Sequence, residues 1–82
     1  MKEKLHRLYF ETVNVFIDEM KKEKDDAIAV ETYLDILDCY HREFGREMVD
    51  MGAISQTEHD AVTGRIDKIT DWLWGKNAHQ VT

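Results

Sequence analysis

Apolar residues recur every three or four positions along almost the whole chain, and none of the 82 residues is a proline. This spacing lines apolar side chains along one face of an α-helix. Because proline is absent, nothing in the chain forces a long helix to break. Only four glycines offer other breaks. The pattern therefore predicts an all-α fold, with residues 1–82 forming a single helical domain.

Capping residues and glycines divide the sequence into helices. Asp25 and Asp26 can each cap the start of a helix, because a short carboxylate accepts the unpaired amides of a first turn. Gly52 stands where a left-handed helix end belongs. Ser55 and Glu58 have the spacing of a capping box, which marks a helix start. We predict helices over about residues 2–23, 27–51 and 56–74, with Gly75 ending the last one and a frayed tail at 75–82.

The short connections favour a small antiparallel three-helix bundle. A chain of this length buries only roughly 60–65% of its unfolded surface, so the core must be small. An alternative is a helical hairpin plus an N-terminal helix, with a core that oligomerisation completes. The sequence leaves both arrangements open.

Charge and composition narrow the class of protein. Seventeen acidic and eleven basic side chains give a net charge of −6, which argues against nonspecific binding to nucleic acid or anionic lipid. The one cysteine, Cys39, cannot form an intrachain disulfide, which fits a reducing compartment. Polar residues such as Glu11 and Asp18 interrupt the apolar residues of the N-terminal segment, so we expect it to be neither a secretory signal nor a membrane span. We therefore expect a cytoplasmic protein.

Two tryptophans in the segment ITDWLWG bear on partners. Trp72 and Trp74 lie about 200° apart on a helix, so Trp72 covers the core edge while Trp74 faces solvent. Exposed tryptophan often marks an interface, and Leu8 and Val15 form a second apolar stripe on the first helix. We predict that Trp74, Leu8, Val15 and His41 contact a protein partner, and that the chain forms a homo-oligomer. Two alternatives stay open, in which Trp74 covers a helix end and His41 is a hydrogen-bonded core residue.

Enzyme chemistry has little support in the residues. The chain contains no Ser–His–acid set, phosphate loop or zinc spacing, and Cys39 and His41 point in different directions on a helix. Glu3 with His6, and Asp38 with His41, have the carboxylate–histidine spacing of four-helix metal proteins, but a fourth helix is missing. We expect no catalytic residue, no cofactor and no metal ion.

The stretch CYHREFGREMVDMGAISQTEHD is the most individual part of the sequence. With this stretch, and by its length, acidity and helical character, the whole chain resembles the cytoplasmic antiholins, the lysis-inhibition accessory proteins of T-even phages. The resemblance implies a non-enzymatic regulator in the host cytoplasm that binds the cytoplasmic part of a holin and delays lysis. The alternative function is an acidic helical inhibitor or nucleic-acid mimic that binds a host protein.

Overall fold

A computed structural model describes the backbone of residues 1–81 and the side chains of residues 1–75. Helices account for nearly all of this part of the chain, and it contains no strand: they are α1 (Lys2–Lys22), α2 (Ala27–Tyr40), α3 (Arg46–Asp50) and α4 (Gln56–Val81). A π-helical turn, His41–Gly45, joins α2 to α3 without a break, so the described residues form three helical rods. The predicted all-α fold is confirmed. No helix in the described residues is both long and apolar enough to cross a membrane.

The rod made of α2, the π turn and α3 packs along both of the other helices, whereas α1 and α4 approach each other closely at few points. Ring contacts of Tyr9 with Tyr40 and of Phe16 with Tyr33 show that α1 and α2 run antiparallel. The helical faces expected from the spacing are those that meet in the core. Its buried apolar residues are Tyr9, Val13, Ile17, Met20, Val30, Leu34, Leu37, Met48, Ala53, Ile54, Val62, Ile66 and Leu73.

Two of the predicted helix boundaries, at Asp26 and at Gly52, are present. The Asp26 carboxylate accepts the backbone N–H of Ala29 at 3.1 Å and caps the start of α2. After α3, Gly52 has φ +77°, and the amides of Gly52 and Ala53 bond back to the carbonyls of Val49 and Met48, which is a Schellman motif. This left-handed backbone conformation favours glycine, because any other residue there would be strained.

The capping box of α4 is also confirmed. The Ser55 hydroxyl accepts the N–H of Glu58 at 3.0 Å, and the Glu58 carboxylate accepts the N–H of Ser55 at 2.9 Å. Two of the otherwise unpaired amides at the helix start are satisfied in this way.

Two helix features differ from the expectation. The second helix was predicted as one regular α-helix, but it contains the π turn at His41–Gly45. The predicted end at Gly75 is passed, because α4 continues to Val81, and Thr82 lies outside the described residues. A glycine costs a helix interior only about 1 kcal/mol, and no proline follows to stop the helix.

Candidate functional site

Two clefts flank α4, and each of them is lined by one of the two tryptophans. Trp72 lines a cleft between α4 and α1, whereas Trp74 lines a cleft between α4 and α2. The indoles are 44% and 69% exposed, respectively. The near-opposite directions expected from their spacing therefore place them on the two flanks of one helix.

The cleft beside Trp72, here called the lysine cleft, has an apolar floor and a basic rim. Its volume is about 500 Å³. Its lining residues are Ile17, Met20, Lys21, Lys24, Val30, Lys68, Ile69 and Trp72. Three cations around one hollow are notable because the chain as a whole carries a net charge of −6.

The lysine cleft exists because the seam between α1 and α4 closes at only one end. His6 Nε2 lies 2.7 Å from a carboxylate oxygen of Glu58, and Arg65 donates to the Asn14 side-chain oxygen at 3.1 Å. The first contact lies near the starts of the two helices, and the second lies near the middle of α1. Further along, the seam carries Lys21, Lys24 and Lys68 instead, and charges of one sign resist closer approach.

The cleft beside Trp74, here called the acidic cleft, carries the opposite charge. Its volume is about 350 Å³. Its lining residues are Glu31, Leu34, Asp35, Asp38, Ile66, Asp67, Thr70, Leu73 and Trp74. One of these carboxylates, that of Asp38, pairs with Arg42 at 3.1 Å on its own helix.

His41 lies in the core and not at the surface. The ring is 2% exposed, the Tyr9 hydroxyl hydrogen-bonds to Nδ1, and Nε2 lies 2.8 Å from the Thr63 hydroxyl. Because Thr63 donates its one hydroxyl proton to the His59 carbonyl, its oxygen accepts from Nε2–H of His41. In a neutral imidazole with this proton, Nδ1 accepts from the Tyr9 hydroxyl. Of the two interpretations of His41, the structure therefore matches the hydrogen-bonded core residue.

Electrostatics agree with a neutral imidazole. Burial, reinforced by the neighbouring His59 and partly opposed by Asp38, lowers the pKa of His41 to about 4. The His59 ring stacks on His41 with centroids 4.0 Å apart. Burial, with a smaller contribution from Tyr40, raises the pKa of the Tyr9 phenol well above its ordinary value. These groups join the three rods.

The Tyr9–His41 contact lies at the π turn. A π turn adds a residue to a helix and often marks a special site. A Cβ on the buried Gly45 would lie 3.0 Å from the Tyr9 hydroxyl oxygen and 3.2 Å from Nδ1 of His41. Only glycine leaves room for both groups without a shift.

The remaining predicted contact residues do not form one surface with Trp74. Leu8 and Val15 are 51% and 60% exposed, as expected, but they lie on α1 and line neither cleft. The residues that sequence analysis missed are the three lysines of the lysine cleft. Their clustering depends on how α1 and α4 align, and spacing within one helix gives no signal of that alignment.

Both histidines of the carboxylate–histidine pairs considered for metal binding hydrogen-bond to residues outside those pairs. His6 contacts Glu58 across the α1–α4 seam, whereas Asp38 pairs with Arg42 and His41 with Tyr9. In the described residues, no group of three or more His, Cys, Asp and Glu side chains is placed to hold a metal ion.

Comparison with family models, with curated proteins and with solved structures found no match for this chain.

Proposed function

We propose that this chain is a non-enzymatic regulatory protein that acts in the cytoplasm by binding another protein. The observation that carries this proposal is the lysine cleft, an apolar hollow that the chain leaves open between α1 and α4. Open apolar surface with a polar rim is typical of protein-binding sites, and tryptophan is enriched where binding energy is concentrated. Trp72 lies at the edge of this hollow.

The lysines specify the chemistry of the partner. An amphipathic helix with carboxylates beside its apolar side chains would fill the hollow and place negative charge near Lys21, Lys24 and Lys68. The resemblance to the cytoplasmic antiholins makes the cytoplasmic part of a holin the first partner to test. In that case the protein delays lysis of the phage host from the host cytoplasm.

A titration of a fluorescent peptide tests the proposal, with the cytoplasmic part of a holin from a T-even phage as the probe. We expect Trp72→Ala to weaken binding by about tenfold or more, since a tryptophan in a binding centre contributes about 2 kcal/mol. Reversal of the rim charges, Lys21→Glu with Lys68→Glu, should weaken it as well. The matched control is Lys2→Glu with Lys4→Glu, two exposed residues outside both clefts that change the net charge equally.

Equal binding by all four proteins would contradict the lysine cleft as the site. Absence of binding to the wild type would contradict a holin as the partner. Circular dichroism of each variant shows whether the helices are intact, so that a loss of binding is not mistaken for unfolding.

A second function is favoured by the acidic cleft, which presents four carboxylates beside the exposed Trp74. We propose it as the alternative: an acidic inhibitor that occupies a nucleic-acid-binding surface of a host protein. Salt distinguishes the two functions, because binding through carboxylates weakens steeply with ionic strength whereas binding through an apolar hollow does so less.

A further inference from the structure

The two flanks of α4 complement each other in charge although they belong to one chain. The rim of the lysine cleft carries three ammonium groups, from Lys21, Lys24 and Lys68. The acidic cleft carries four carboxylates, from Glu31, Asp35, Asp38 and Asp67. Trp74, on the acidic flank, is the more exposed of the two indoles. One chain thus carries a basic apolar hollow together with an aromatic side chain set among acids.

The symmetry of a dimer determines whether the lysine cleft and the acidic flank of each copy can both contact the other copy. A two-fold axis parallel to α4 places the Trp72 flank of each copy beside the Trp74 flank of the other, at the same height along the helix. Because a two-fold axis repeats every contact, both hollows are filled together and the assembly closes as a dimer. A two-fold axis perpendicular to α4 would pair like flanks and set lysine against lysine. Charge therefore selects two α4 helices that lie side by side and point the same way.

We propose that the lysine cleft is occupied by a second copy of this chain, whose Trp74 indole enters it from the acidic flank. The inference rests on the proposed function, in that the lysine cleft must be a docking surface for protein. It adds that the chain itself is an occupant. Dimerisation then covers the surface that another protein would bind, so the dimer and the regulatory complex exclude each other.

Charge reversal on each flank tests the dimer. One variant is Lys21→Glu with Lys68→Glu, which makes the hollow acidic. The other is Asp35→Lys with Asp67→Lys, which makes the Trp74 flank basic, because the two new lysines and the Arg42 that pairs with Asp38 outnumber the two remaining carboxylates. In each variant alone, the hollow and the flank that should enter it carry the same sign, so both should be monomers. Mixed in equal amounts, they restore opposite charges at both contacts, so a mixed dimer should form.

The measurement is mass by light scattering over a wide range of protein concentration at low salt. We expect the wild type to reach twice the mass of one chain, each variant to remain monomeric and the mixture to regain the double mass. Control variants are Lys2→Glu with Lys4→Glu and Glu43→Lys with Glu47→Lys, at exposed positions outside both clefts, and these should dimerise like the wild type. Circular dichroism confirms that every variant is helical.

A wild type that stays monomeric at every concentration would overturn the proposal. A dimer that survives both reversals, or a mixture that stays monomeric, would overturn it too. The same proteins separate this result from the proposed function. Asp35→Lys with Asp67→Lys leaves the lysine cleft intact, so this variant should bind the holin peptide at least as well as the wild type. A monomeric wild type that binds the peptide overturns the dimer alone. If the dimer is complemented as expected but the monomeric Asp35→Lys, Asp67→Lys variant never binds the peptide, the holin partner alone is contradicted.

Discussion

Trp72 and Trp74 lie two positions apart on α4, yet they line different clefts of opposite charge. Since about 200° separates them around the helix, neither indole can line the cleft that the other lines. The first tryptophan belongs to a basic hollow shared with α1, and the second belongs to an acidic groove shared with α2. Two clefts of opposite charge therefore fit on a chain of 82 residues.

This division predicts different effects for the two tryptophans. Trp74→Ala should weaken self-association and leave binding of a holin peptide intact, because its indole is outside the lysine cleft. Trp72→Ala should weaken both. Light scattering and peptide titration on the two variants, with helicity checked by circular dichroism, measure these effects. Identical losses for the two substitutions would contradict the division.

Glycine positions give a prediction for stability. Gly45→Ala should destabilise the fold by about 1–3 kcal/mol, because the added methyl group overpacks the Tyr9–His41 contact. Gly64→Ala is the matched control, since a Cβ there meets nothing within 4 Å, and it should stabilise the helix by about 0.5–1 kcal/mol. Urea unfolding measures both changes. If both substitutions stabilised the protein, the close approach at Gly45 would have no energetic consequence.

Acid should destabilise the protein through His41. Its folded pKa of about 4 is below the ordinary value of 6.5, so the unfolded chain takes up a proton first as the pH falls. The stability contributed by the neutral ring is complete above pH 6.5 and is lost between pH 6.5 and pH 4, about 3 kcal/mol in all. Urea unfolding between pH 7 and pH 4.5, with an NMR titration of the imidazole, checks this. A His41 ring that titrates near 6.5 in the folded protein would contradict it.

Glu58 adds to the loss only at lower pH. Hydrogen bonds from the Ser55 amide and from His6 hold the pKa of its carboxyl below the ordinary value of 4.5. Stability from these bonds is present above pH 4.5 and is lost as the pH falls further, so this loss comes at lower pH than that from His41.

The helix start at Ser55 gives a fourth prediction. Ser55→Ala removes the oxygen that accepts the Glu58 amide and should cost about 1 kcal/mol in the free energy of unfolding. Thr57→Ala, at an exposed position two residues on, serves as the control and should change it by less than about 0.5 kcal/mol. Equal effects in urea unfolding would mean that the capping box does not stabilise α4.

Local rules were sufficient for the features that depend on neighbouring residues. The periodic apolar face, the cap at Asp26, the left-handed Gly52 and the Ser55–Glu58 box all depend on a few adjacent positions, and each was predicted. The predicted α4 was too short, because Gly75 was interpreted as the end of the helix. A single glycine inside a helix costs only about 1 kcal/mol, and α4 continues to Val81.

Features that depend on alignment between helices could not be predicted in the same way. His41, in the π turn, hydrogen-bonds to the Tyr9 hydroxyl, which comes from another rod. The lysine cleft combines Lys21 of α1, Lys24 of the connection and Lys68 of α4, which are far apart in sequence. A pattern within one helix identifies its buried face but not the residue that meets it from a neighbour.

The two indole N–H signals in an NMR spectrum test whether the lysine cleft is the docking surface, because each signal reports a different cleft. The variant Asp35→Lys with Asp67→Lys keeps the protein monomeric, and Trp→Phe substitutions assign the two signals. On addition of the holin peptide, we predict that the Trp72 signal shifts while the Trp74 signal stays in place. A shift confined to Trp74, or no shift of either signal at saturating peptide, would contradict the lysine cleft as the docking surface.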